Sequence, residues 1–153
     1  LVILVAPTII AMLSLRLVAT VRRFVTQRSQ RLPRIRLERA VRRQLARVQN
    51  DRAATAETFF VELSHNLRSY LEATLTIPAH ASTTHELQDA FASKQLHAGH
   101  SRQLAAILAT ADRVKFGGDS AGKPQMVATG EQLITLVGDM ERAQVAEASH
   151  VEP

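Results

Sequence analysis

The chain has 153 residues, no cysteine, six glycines and five prolines, which allows one modest domain plus an appendage and excludes disulfides and thiol chemistry. Its net charge of +5 averages two unlike parts: residues 1–52 carry twelve arginines against Glu38 and Asp51, a balance of +10, and the remainder carries seven basic and twelve acidic groups, a balance of −5. The high isoelectric point therefore belongs to a basic arm and gives no support to a nucleic-acid-binding body.

Residues 1–15 carry no charge, and after Arg16 the apolar run resumes through Val21 to Arg22 and Arg23. At ~1.5 Å per residue, the stretch before Arg22 spans roughly 31 Å as a helix, about a bilayer's hydrocarbon thickness. The expectation is a transmembrane helix over 1–21, with Arg16 snorkelling toward the same interface as Arg22 and Arg23. A signal peptide would carry its positive charge before the apolar run, not after it. Arginines that follow a span place the C-terminal side on the cytoplasmic face.

Residues 22–52 form an Arg-rich juxtamembrane arm. From Pro33 onward, Leu37, Val41, Leu45 and Val48 recur at helical spacing, and Arg39, Arg43 and Arg47 make a row on another face with Arg36 nearby. This spacing predicts a basic amphipathic linker helix. Two uses are open: contact with anionic lipid headgroups through Arg16, Arg22, Arg23, Arg36, Arg39, Arg43 and Arg47, or packing on the domain that follows. No aromatic residues interleave with the arginines of this helix, so it offers no stacking platform for single-stranded nucleic acid.

Residues 53–147 read as a small all-α cytosolic domain of four helices, with a frayed tail at 148–153. The first helix runs from near Ala54 to before Pro78. Its Phe59, Phe60, Leu63, Leu67, Tyr70, Leu71 and Leu75 form a broad apolar stripe, and Arg68 and Glu72 are spaced to pair on its edge. Thr83 and Glu86 fit a capping box that opens a second helix running to about Leu96. His97 to His100 reads as a turn, Ser101 as the cap of a third helix, and Gly117-Gly118 as its end. The fourth helix covers Met126 to about Glu147, with Gly138 weakening its interior.

No motif implies a reaction. Glu62-x-x-His65 is half of a di-iron helix motif; the one other Glu-x-x-His, Glu147-x-x-His150, falls at the frayed C-terminal end, and a working di-iron bundle needs two such motifs plus two further glutamates on facing helices. Zinc would need three or four converging ligands without cysteine. Ser64-His65 and Ser149-His150 are adjacent pairs on helices, with no nucleophile elbow. The expectation is no catalytic residue, no cofactor and no metal.

Two patches are more specific than periodicity. One is Phe59-Phe60-x-x-Leu63-Ser64-x-x-Leu67-Arg68-x-Tyr70-Leu71-Glu72, followed by Thr83-Thr84-x-Glu86-Leu87; the other is Leu108-x-x-Ala111-Asp112-x-Val114-Lys115-Phe116. Their order and spacing resemble the cytoplasmic C-terminal domain of BatD-type oxygen-tolerance proteins, and equally a related family of short single-span bacterial membrane proteins of unknown function. The resemblance covers roughly residues 53–145. It implies a non-enzymatic inner-membrane protein acting with a MoxR-type AAA ATPase and von Willebrand A-domain membrane proteins in envelope maturation or stress tolerance. It carries no catalytic residues. BatD proteins also have a large periplasmic region before the span; for this sequence the two readings are that it was cut off or that the chain is of the short type. Arg68, Tyr70, Asp112 and Lys115 are the candidate partner-facing or interhelix polar cluster.

Overall fold

The computed structural model describes residues 32–50, 54–118 and 120–150, with the side chains of the last four excepted. Those residues form five helices and no strand. They are α1 (32–50), α2 (Ala56–Leu75), α3 (Thr84–Ser93), α4 (Ala98–Phe116) and α5 (Lys123–His150). The apolar run 1–21, together with Arg16, Arg22 and Arg23, lies outside the described residues. Among the described residues no helix is long and apolar enough to cross a membrane.

The stripe on α2 is the centre of the core. Phe60, Leu63, Leu67 and Leu71 are fully buried, and Phe59 and Tyr70 nearly so. Phe59 and Phe60 meet edge to face, with ring centroids 5.2 Å apart. Successive apolar residues three or four apart give the helix one continuous dry face, which is what burial against several neighbours requires. α4 packs on this face with Leu104, Ile107, Leu108, Ala111 and Val114, and α5 with Leu133, Leu136, Val137 and Met140. α3 contributes Leu87 and Phe91.

The basic helix belongs to the same core. Leu37, Val41, Leu45 and Val48 on α1 are buried with the residues of the other helices. α1 runs antiparallel to both α2 and α5. Its start lies against the ends of those helices: Pro33 borders a cleft with Tyr70 and Ala73, and Arg34 pairs with Glu141. Its end lies nearer their beginnings, where Gln44 donates to Glu62 at 3.0 Å and Leu45 meets Gly130. The apolar stripe predicted for the linker is thus spent on packing, and only the arginine face looks outward. The charge boundary at residue 52 does not divide the core.

Several helix ends differ from the sequence expectation. α2 begins at Ala56, behind an N-cap Thr55 whose side chain accepts from the Thr58 amide at 3.2 Å. α3 carries the expected capping box but stops at Ser93, and Gln95 then turns with a φ of 55°. α4 starts three residues before Ser101. Its N-cap is His97, whose Nδ1 accepts from the Gly99 amide at 3.2 Å, so the expected turn is the first turn of the helix. α5 starts at Lys123, with Pro124 in the first turn, where a missing N–H costs nothing.

Candidate functional site

Arg68 leaves α2 half-buried and turns toward the connection to α3. Its Nη1 donates to the carbonyls of Ala79 and Ser82, both at 2.5 Å, and its Nη2 reaches Thr84 Oγ1 at 3.5 Å. Thr84 Oγ1 in turn donates to Asp112 Oδ2 on α4 at 2.5 Å. One guanidinium and one hydroxyl therefore join α2, the 76–83 connection, α3 and α4. The planar fork of arginine suits this task, because it can serve two carbonyls and a hydroxyl at once. The connection is also pinned by Ile77 and Ala79, both buried. Glu72 does not pair with Arg68; it accepts from the His80 amide at 2.9 Å.

Tyr70 and Lys115 stand elsewhere. Tyr70 faces α1 and α5, and burial pushes its phenol up to about 12, reinforced by the charge of Glu141. A hydrogen bond with Thr74 and the charge of Arg34 pull the other way. Lys115 sits at the end of α4 with its Nζ 4.7 Å from the ring centroid of Phe116, an exposed cation–π contact. Of the four residues grouped by sequence, the structure brings Arg68 and Asp112 together through Thr84.

Four of the histidines meet in two pairs. His65 and His80 stack with ring centroids 4.7 Å apart, and His80 Nε2 lies 2.9 Å from Ser69 Oγ. His97 and His100 lie 5.2 Å apart. Among the described residues no three His, Cys, Asp or Glu side chains converge to hold a metal. Glu62 is engaged by Gln44 and, at 3.7 Å, by Arg47. Ser64 Oγ donates to the Val61 carbonyl and not to a base.

The outward face of α1 is the other charged feature. Arg42 pairs with Glu38 at 2.8 Å, and Arg43 Nε donates to the Arg39 carbonyl. Arg36, Arg39 and Arg43 are exposed, and no carboxylate among the described residues pairs with them. At the start of the same helix Leu32 and Ile35 are exposed, 56% and 40%. Sequence reading does not single out these two residues. The signal available is their register: both share the helical face of the arginines, not that of Leu37 and Val41. Gln44, buried with its Oε1 unpartnered among the described residues, is the one polar residue inside the apolar stripe.

No family model matches the chain, and neither the curated proteins nor the solved structures include a significant match. The resemblance to BatD-type domains therefore rests on the two sequence patches alone.

Proposed function

We propose that the protein is a non-enzymatic, single-pass inner-membrane protein. Its helical domain faces the cytoplasm and serves as an adaptor or scaffold for a MoxR-type AAA ATPase and von Willebrand A-domain partners. One observation carries the reading: an apolar run over 1–21, flanked by arginines, precedes a helical domain that bears both family-like patches in order. The roles of the patch residues agree with a scaffold. Leu63, Leu67, Leu71, Leu108, Ala111 and Val114 are core residues, and Arg68 and Asp112 clasp the connection between helices.

The test is affinity capture of the intact protein from gently solubilised membranes, followed by identification of co-purifying chains. Recovery of an AAA ATPase or a von Willebrand A-domain protein is the expected result. Its absence under conditions that preserve such complexes would overturn the adaptor role. A second reading, an anionic-lipid sensor working through the Arg-rich helix, draws on the exposed Arg36, Arg39 and Arg43 of α1, with which no carboxylate among the described residues pairs.

A further inference from the structure

We propose that α1 lies flat on an anionic membrane leaflet, with its arginine face in the headgroups and Leu32 and Ile35 dipping into the acyl boundary. The inference rests on the membrane reading above and adds an orientation, a set of contact residues and a lipid class.

The geometry behind it is angular. At 100° per residue, Arg36, Arg39, Arg43 and Arg47 fall with Leu32 on one side of α1. Leu37, Val41 and Val48 fall on the opposite side and are buried. A surface that is apolar at one end and cationic along its length matches a bilayer interface, whose depth runs from acyl chain to phosphate. Arginine forks suit phosphate oxygens. Val145, 46% exposed on α5, lines the same shallow groove as Ile35 and widens the apolar end.

The nearby carboxylates do not oppose this contact. Glu38 is held by Arg34 and Arg42, Glu141 by Arg34, and Glu62 by Gln44 and Arg47. No tryptophan, tyrosine or phenylalanine lies within residues 32–50, so the face offers nothing for nucleobases to stack on. The sequence also delivers the apolar end to the right place: residues 22–31, themselves carrying four arginines, join the start of α1 to the run 1–21.

The chain has no tryptophan, so a single introduced one is a clean reporter. Ile35→Trp and, as a control on α4, Phe116→Trp are prepared in the full chain. They are reconstituted into vesicles of brominated phosphatidylcholine with and without phosphatidylglycerol. Ile35→Trp should be quenched strongly in the anionic vesicles and weakly in the neutral ones, with salt reducing the difference. Phe116→Trp should be quenched weakly in both. Adding Arg39→Gln and Arg43→Gln should weaken the docked state about 30-fold, with the helical circular dichroism retained.

A chain that stays with the vesicles after an alkaline wash while Ile35→Trp is unquenched overturns the orientation and leaves the tether standing. Equal quenching with and without phosphatidylglycerol, or at residues 35 and 116 alike, also overturns it. A chain that does not stay with either vesicle overturns both readings.

Discussion

Gly130 on α5 lies directly beneath the branched end of Leu45 on α1: a Cβ at residue 130 would stand 2.8 Å from Leu45 Cδ2 and 3.2 Å from its Cγ. The absence of a side chain is what lets the two helices approach there. Gly130→Ala should cost about 1–2 kcal/mol, because overpacking a buried contact outweighs alanine's better helix propensity. Gly138 is the contrast. A Cβ there would meet only the Arg34 guanidinium, at an ordinary 3.5 Å. Gly138→Ala should therefore stabilise by about 0.5–1 kcal/mol. Urea unfolding of both variants checks the opposite signs.

Arg68 should matter by geometry as well as charge. Arg68→Met removes the donors that serve the Ala79 and Ser82 carbonyls and should cost about 1.5–3 kcal/mol. Arg68→Lys keeps the charge but not the fork, and should recover less than half of that loss. Hydrogen exchange provides the local readout: amides of the 76–83 connection should lose protection before those of α5. Uniform loss across all helices would mean that the clasp is not local.

Tyr70 makes an alkaline prediction. It is the chain's single tyrosine, so phenolate absorbance reports it alone. The folded value, about 12, lies above the ordinary 10.0, so between those values the folded state keeps a proton that the unfolded chain loses. Stability from this residue is intact below pH ~10 and falls as pH rises toward 12, by about 2–3 kcal/mol in total. In Tyr70→Phe this part of the decline should vanish. A phenol that titrates at its ordinary pH in the folded protein would contradict the burial argument.

Two helix caps should respond in opposite directions. Thr76 closes α2 in the left-handed region, with a φ of 53°, a poor place for a β-branched residue. Thr76→Gly should raise stability by about 1 kcal/mol. Thr83 accepts from the Glu86 amide at 3.2 Å while its own amide donates to Glu86 at 2.7 Å, and this contact holds the Glu86 carboxyl below its usual range. Thr83→Ala should cost about 1 kcal/mol. Thermal denaturation of the two variants checks both.

The all-helical class and the central helix are legible in the sequence because α2 repeats its apolar residues without interruption from Phe59 to Leu71. The capping box is legible because Thr83 and Glu86 are the residue types that motif requires. The start of α4 is not. Ser101 is a better cap by residue preference than His97, and only the fold shows an imidazole nitrogen taking that place. Residue 52 marks a change of charge, but charge reports the outward face of α1 and says nothing of Leu37, Val41 and Leu45 beneath it. Arg68 and Glu72 have pairing distance along the helix, yet two carbonyls of the following connection compete for the arginine and win. The candidate cluster is legible in half: Asp112 reaches Arg68 only through Thr84, a contact across three elements that no spacing encodes. The surface pair Leu32 and Ile35 emerges only once the opposite side of α1 is seen to be buried.

Because α1 runs against both α2 and α5, and Arg34 near its start grips Glu141 late in α5, the described chain enters and leaves the bundle at one pole. A pull at residue 32 would load α1 lengthwise, sliding its four buried apolar side chains past their neighbours together instead of peeling them off one at a time. The same helix that carries the charge thus resists such a load as one unit.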